Sequence, residues 1–373
     1  MSAGPRSEGW AESFGHERPA GEGNLEWIWR GVERQGVGAL VALLVCWGNL
    51  WLGIFAAFNG AFSGGFLAVA SGFGPFSFVA GALPDWLLET AAAGSFVGGA
   101  ALGALYGLGV GILGPAVVAG TVEGIGLGAV AGHLLFGLVL ACVVLAVWMY
   151  GEEWVLRVAY GARRMSDREA ERVEPLLGEI GSRMGLTSIP QIRVLEKVEL
   201  NGYAHINRIS LTRMYLHTLD DEELGGVLAH ELHHWRSADG VGLAVVRAVA
   251  LPIILIYDLF YLLAGLHPVV GLFAFLFLWP FWVAVRLVLI PIMGIYQRRY
   301  EYEADAAAET AGYGEDLHRA LEAMQDIEPG RDGFERSLAS THPPTELRLE
   351  NIRKRMADRA RGIDPDNPKE DQE

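Results

Sequence analysis

The sequence has few cysteines, few charged residues and little positive charge. Two of its 373 residues are cysteines, which excludes the disulfide framework of a small secreted domain. The sequence has 29 Lys and Arg but 44 Asp and Glu, which gives a net charge of −15. This negative charge argues against a nucleic-acid-binding protein, which needs a basic surface. Charged residues make up only 20% of the chain and apolar residues 51%, an excess that indicates a membrane protein.

One long stretch lacks charge altogether, since no Asp, Glu, Lys or Arg occurs from Gly36 to Pro84. About 20 apolar residues cross the ~30 Å hydrocarbon core of a bilayer, so this stretch is long enough for two helices. With the apolar runs that follow, the sequence predicts about four spans. They are residues 37–58, residues 61–83, which either span or re-enter, residues 91–113 and residues 124–150.

A second apolar region, residues 241–295, predicts a helical hairpin that turns at His267 and Pro268. Asp258 lies inside it and either pairs with a neighbour or lines a polar cavity. Basic residues flank the first group of spans on both outer sides, which predicts that both flanks and the polar region after them are cytoplasmic. These flanking residues are Arg30, Arg34, Arg157, Arg163 and Arg164.

The predicted organisation therefore alternates between membrane and polar segments. The segments are a disordered tail (1–24), a transmembrane region (25–151), a first polar part (152–240), the hairpin (241–295), a second polar part (296–362) and an acidic tail (363–373).

Within the first polar part, an acidic first turn, apolar spacing and a closing Gly predict a helix over residues 166–185. Residues 191–195 and 208–212 are typical of short strands, with residues 201–207 a third strand or a loop between them. An acidic run at residues 220–223 then begins a helix of about five turns, since acidic side chains favour helix N-termini.

That helix carries His230, Glu231 and His234 in the pattern HExxH. Residues at i and i+4 share a helix face, so the two histidines can bind one metal ion. Glu231 lies beside them and can accept a proton from the attacking water, as in zinc proteases. His233 lies about 100° around the helix and is expected to be a neighbour, not a ligand.

A protease zinc site needs a third protein ligand and leaves one position open. Glu301 and Asp305 follow the hairpin at i and i+4, so one can reach the metal while the other orients a ligand histidine. Glu303 and Glu309 are expected to lie on a solvated helix face.

The segments HELHHWRSAD and EYEADAAA, separated by a membrane hairpin, resemble the HtpX-like and CAAX prenyl protease family of membrane zinc metallopeptidases. The resemblance covers most of residues 164–352. It implies that His230, His234 and Glu301 are the zinc ligands and that Glu231 is the catalytic acid and base. It also implies that Asp239, Asp305 and Arg348 contact the ligands and orient them.

Two further stretches match the family. Residues 201–204 are similar to an edge strand that pairs with extended substrate, which implies a substrate-binding role for Asn201, Gly202, Tyr203 and Ala204. Thr341, His342, Pro343 and Pro344 with Arg348 resemble a late HP…R motif, in which the His assists the oxyanion.

The sequence departs from the family pattern at positions outside the ligand set. His233 stands where the family has a small residue, Gly202 where the edge strand has Ala, and Gln297 where a Ser is usual. Trp235 matches the residue found at this position in the prenyl-protease branch of the family, but the chain is short for that branch.

The expected fold is mainly α: a multi-pass helical membrane protein with a cytosolic α+β zincin-like metalloprotease domain, which the hairpin interrupts. The expected function is that of a metalloendopeptidase with one Zn²⁺ per chain, acting on misfolded or damaged membrane proteins at the cell membrane. Its partners are the lipid bilayer and polypeptide substrates, and not nucleic acid. The first alternative is a narrow-specificity prenyl-type protease. A less favoured alternative is a non-catalytic zinc-binding membrane protein.

Overall fold

The computed structural model describes residues 23–47, 61, 100–101, 104, 126–197, 199–325 and 343–366. The predicted spans 61–83 and 91–113 fall almost entirely outside these residues, as do the second half of the first predicted span and His342.

The described part of the chain is mostly helical, with four short strands. The strands are β1 (Arg163–Arg164), β2 (Gln191–Leu195), β3 (Gly202–Ala204) and β4 (Arg208–Thr212). The helices are α1 (Asn24–Cys46), α2 (Gly126–Tyr160), α3 (Asp167–Arg183), α4 (Arg213–Thr218), α5 (Asp221–Arg236), α6 (Asp239–Leu266), α7 (Pro268–Val283), α8 (Ile290–Ala308), α9 (Gly314–Gln325) and α10 (Thr345–Ala360). Two π-helical turns, Ala284–Leu289 and Glu309–Tyr313, flank α8.

Within the described ranges, three helical segments are long and apolar enough to cross a membrane: Leu134–Tyr160, Asp239–Leu266 and Phe281–Met324. The hairpin turns between α6 and α7, at the predicted position. The helix of the fourth predicted span, α2, continues to Tyr160, past the predicted end at residue 150. α1 begins at Asn24, well before the first predicted span, and leaves helical geometry at Gln35.

The sheet has the strand order β1-β2-β4-β3. β2 and β4 have the predicted bounds and pair in parallel, with Ile192 opposite Ile209 and Val194 opposite Leu211. These four apolar side chains are buried, which fixes the register because a one-residue slip would turn them to the other face. β3 runs antiparallel to β4 at the edge of the sheet.

Capping boxes define where α3 and α5 begin. At α3, Ser166 accepts a hydrogen bond from the Glu169 backbone, and the Glu169 side chain accepts one from the Ser166 backbone. Asp220 and Glu223 make the same reciprocal pair at the start of α5. Such caps satisfy backbone donors that a helix start leaves free, which explains why the acidic first turns predicted both helices.

The chain divides into two compact units. One unit comprises Met1–Gly38, Val143–Val246 and Ile290–Glu373, and it contains the sheet, α3, α5 and α8. The other comprises Ala39–Cys142 and Arg247–Leu289. In this second unit the Trp47 indole N–H donates to the Val249 carbonyl at 3.0 Å, and a Cβ added at Gly137 would lie 2.3 Å from the Trp47 ring. Glycine therefore allows close helix packing here.

Candidate metal centre

α5 and α8 bring three side chains of metal-binding type together. The Nε2 atoms of His230 and His234 lie 3.1 Å apart. Glu301 places Oε2 3.5 Å from His230 Nε2 and Oε1 3.5 Å from His234 Nε2. Ligand atoms of all three residues lie within 4.8 Å of one another. The structure thus brings together the three residues for which the sequence predicted a ligand role.

A carboxylate contacts the Nδ1 atom of each histidine ring, the nitrogen that does not face Glu301. His230 Nδ1 is 2.9 Å from Asp305 Oδ1, and His234 Nδ1 is 2.8 Å from Asp239 Oδ2. A carboxylate at Nδ1 fixes the proton there and leaves Nε2 as the ligand atom, which is the usual arrangement around metal-binding histidines. Both Nε2 atoms accordingly face the same point as Glu301.

Arg348 links Glu301 and Asp305, two of the three carboxylates of α8. Its Nε and Nη2 bind the two oxygens of Asp305 at 2.9 and 2.6 Å, and its Nη1 lies 3.1 Å from Glu301 Oε2. All three side chains are buried. Burial lowers the pKa of Arg348, but the charges of Asp305 and Glu301 outweigh it and raise the pKa above its ordinary value. Arg348 therefore neutralises part of the negative charge that α8 buries.

Carboxylate side chains surround the two histidines and affect the pKa of both rings. Burial alone would lower the pKa of His230, but hydrogen bonds to Asp305 and Glu301 raise it. Burial likewise acts against the hydrogen bonds of His234 to Asp239 and Glu301, which raise its pKa well above the ordinary value. A site that favours positive charge on both rings also favours a cation between them.

The donor set fits a tetrahedral zinc ion. Two ligands at ~2.0 Å from such an ion lie about 3.3 Å apart. The two histidine Nε2 atoms, 3.1 Å apart, are close to that value, and each has one Glu301 oxygen at 3.5 Å, Oε2 for His230 and Oε1 for His234. Two imidazoles and one carboxylate, with a fourth position left for water, form a ligand set used by catalytic zinc sites.

Glu231 lies between the histidines in sequence and against the edge strand in space. It is buried, and a Cβ added at Gly202 would lie 2.4 Å from its Oε1. The absence of a side chain at Gly202 therefore lets β3 approach the Glu231 carboxylate. Asn201, just before the strand, is held by a hydrogen bond from its N–H to Thr212 Oγ1.

His233 lies apart from the group that His230, His234 and Glu301 form among the described residues. Its Nε2 is 3.1 Å from Ser237 Oγ. Burial, followed by the charge of His234, lowers the pKa of His233 to about 3, so the ring is neutral at physiological pH.

The expectation for Glu309, in the turn after α8, was wrong. Glu309 is buried and binds Arg359 at 2.6 Å. Arg359 lies 50 residues further along the chain, so helical spacing around α8 carried no signal for this pair. Glu303, whose side chain is 29% exposed, is partly solvated and is paired with Arg34 and Arg299.

Comparisons with known proteins place the chain in a family. The sequence model of Peptidase family M48 matches residues 167–356. The protein named "Protease HtpX homolog" of Halobacterium salinarum is 26% identical over 263 residues, which cover 59% of this chain and 90% of the relative. The protein of the same name from Pyrococcus abyssi is 26% identical over 257 residues, which cover 60% of this chain and 86% of the relative.

A solved structure was also matched. The crystal structure of S. mikatae Ste24p has a TM-score of 0.40 and 20% identity, and the alignment covers 72% of this chain and 66% of that one. The family match spans β2, β3 and β4 of the sheet, α5, α8 and most of α10, and the described helices include apolar segments of membrane-spanning length. The chain is a membrane protease that belongs to peptidase family M48.

Proposed function

We propose that the chain is a zinc-dependent endopeptidase that hydrolyses peptide bonds in misfolded or damaged membrane proteins. The observation that carries the proposal is the convergence of His230, His234 and Glu301, with ligand atoms within 4.8 Å of one another. The carboxylates behind the two histidines support it, because metal-binding histidines usually have such partners.

His230, His234 and Glu301 would hold the ion. Bound there, zinc would polarise the scissile carbonyl and lower the pKa of the attacking water. Asp239 and Asp305 keep the histidine rings oriented, and Arg348 holds Glu301 from the other side.

Glu231 is the general base and then the general acid. It takes a proton from the attacking water and gives it to the leaving amine, a role typical of a positioned carboxylate. Its burial excludes bulk water from the proton transfer, and its position beside Gly202 brings it next to the edge strand.

β3 is the proposed substrate-binding strand. Among the described residues it pairs only with β4, so its other edge can add an extended peptide through backbone hydrogen bonds. Such binding depends mainly on backbone and only weakly on side chains, which suits varied unfolded substrates. In this assignment Asn201, Gly202, Tyr203 and Ala204 line the peptide, and His342 donates to the oxyanion.

The membrane arrangement is part of the same proposal. The peptidase part is formed by residues 152–240 and 296–362, on either side of the hairpin, with tails at 1–24 and 363–373. It faces the cytoplasm at the cell membrane. The basic residues that flank the first spans support this orientation through the positive-inside rule.

The test is cleavage of casein by the full chain purified in detergent, with zinc and with a chelator, for the wild type, Glu231→Gln and Glu222→Gln. Glu222 is an exposed glutamate on the same helix and serves as the matched control. We expect zinc-dependent cleavage by the wild type and by Glu222→Gln, and none by Glu231→Gln despite normal zinc content.

The contrary results are distinct. Equal cleavage by Glu231→Gln would overturn the mechanism. A wild type that binds one zinc per chain but leaves casein intact would refute broad specificity and favour the narrow prenyl-type alternative. A wild type that binds no zinc would refute the assignment as a whole.

A further inference from the structure

The first half of α1 packs against the metal centre although it precedes the segment that the family model matches. Three of its side chains, at i, i+3 and i+7, lie on one helix face. The Trp27 indole N–H donates to the Ile206 carbonyl at 3.3 Å, and Arg30 donates to the Arg236 carbonyl at the end of α5 at 3.0 Å. Arg34, one turn further along, reaches Asp239.

Arg34 and His234 bind opposite oxygens of one carboxylate. Arg34 Nε donates to Asp239 Oδ1 at 2.7 Å, while Asp239 Oδ2 lies 2.8 Å from His234 Nδ1. The three side chains are largely buried. A carboxylate with charged or polar partners on both oxygens cannot rotate without losing one of them, so Arg34 restricts the orientation of Asp239.

Arg34 is itself held on several sides. Its Nη1 is paired with Glu303, which lies two positions after Glu301 on α8. Its guanidinium lies 3.7 Å from the centroid of the Tyr300 ring, and the Tyr300 hydroxyl donates to the Arg34 carbonyl. Arg34 thus connects α8, which carries the predicted carboxylate ligand, with Asp239.

Close backbone contact sets the position of α1. A Cβ added at Gly31 would lie 2.7 Å from Val241 and 2.8 Å from Gly242 N, and one added at Gly242 would lie 2.8 Å from the Gly31 carbonyl oxygen. α1 and the first turn of α6 therefore meet with no room for a side chain between them, and their relative position is closely determined.

We propose that Arg34 is a positioning residue of the metal centre, which acts through Asp239 to hold His234 Nε2 in its ligand orientation. The inference rests on the proposed function in that His234 is taken as a zinc ligand. It adds α1, a helix outside the matched family segment, to the parts of the chain on which zinc affinity depends.

The test is the zinc dissociation constant of the full-length protein in detergent, measured by competition with a chromogenic chelator, together with kcat and KM for casein. Substitution of a residue that orients a metal-binding histidine typically weakens metal binding by about 10–100-fold. We expect about a tenfold or larger loss of zinc affinity in Arg34→Gln, with KM unchanged at saturating zinc. Arg30→Gln, the matched control on the same helix face, keeps the wild-type affinity to within about threefold, because Arg30 binds a backbone carbonyl of α5.

Two further variants keep the test decisive. Arg34→Lys retains the charge but not the geometry of the guanidinium, so we expect a zinc affinity between those of the wild type and Arg34→Gln. If Arg34→Gln does not fold, Arg34→Lys is the variant that tests the proposal. Adding Arg34→Gln to Asp239→Asn should weaken zinc binding little beyond Asp239→Asn alone, since both changes break one chain of contacts.

Wild-type zinc affinity in Arg34→Gln or in Arg34→Lys would overturn the inference, as would fully additive losses in the double variant. These results leave the proposed function intact, because the wild type still binds zinc. A wild type without zinc would instead refute the proposed function itself.

Discussion

Gly202→Ala tests whether the edge strand and the general base are as close as the structure places them. The new Cβ would lie 2.4 Å from Oε1 and 2.6 Å from Cδ of Glu231, whereas ordinary contacts begin at 3.4 Å. The Glu231 carboxylate must therefore move away by about 1 Å, and a misplacement of ~1 Å in a catalytic site can cost ~10²-fold in rate. That factor corresponds to about 2.7 kcal/mol of transition-state stabilisation.

The expected result is a kcat for casein reduced by about 10–100-fold, with zinc content unchanged. Gly178→Ala is the matched control, because nothing lies within 4 Å of a Cβ there. It sits inside α3, where Ala favours the helix by up to about 1 kcal/mol. Wild-type kcat in a zinc-loaded Gly202→Ala protein would be the contrary result, because it would show that Glu231 has an equally good position away from β3.

Three further predictions concern charge and burial. Arg348→Met leaves Asp305 buried without its cation and should lower the free energy of unfolding by about 3–5 kcal/mol in denaturant titrations, whereas a loss below ~1 kcal/mol would show that the pair is dispensable. His233→Asn should keep wild-type zinc content and an unchanged pH–rate profile, because His233, with a pKa of about 3, is already neutral at pH 7; a displaced profile would contradict this. The hydrogen bond from Arg163 lowers the pKa of Glu169 to about 2, so its stabilisation is complete above pH ~4.5 and is lost as the pH falls through about 2. Glu169→Gln should therefore cost roughly 1–2 kcal/mol at pH 7, after allowance for the exposure of Arg163, and progressively less below pH 4, and an equal cost at pH 7 and pH 3 would contradict the assignment.

Local sequence signals predicted much of the peptidase part. The strands 191–195 and 208–212 have the predicted bounds, and both carry β-branched and other apolar residues that alternate with a polar residue, a pattern typical of short strands. The i, i+4 spacing that joined His230 to His234 also followed from one helix alone. Glu301 needed the resemblance as well, since helical spacing left Asp305 as an equal candidate.

Contacts between distant segments could not be predicted in this way. Arg34 was interpreted as a basic flank of the first span, yet it binds Asp239, 205 residues along the chain. Glu309 was expected to lie on a solvated helix face, but it is paired with Arg359, 50 residues further along the chain. The structure shows instead that α1 begins at Asn24, before the apolar run, and that its first part, up to Gly38, belongs to the compact unit that contains the sheet and α5.

His230, His234 and Glu301 are proposed to hold one zinc ion. Measurement of zinc content, combined with X-ray absorption at the zinc edge on the full chain purified in detergent, tests this proposal. We expect one zinc per chain, with nitrogen and oxygen ligands at about 2.0–2.2 Å. Absence of bound zinc, or a sulfur ligand at about 2.3 Å, would contradict it.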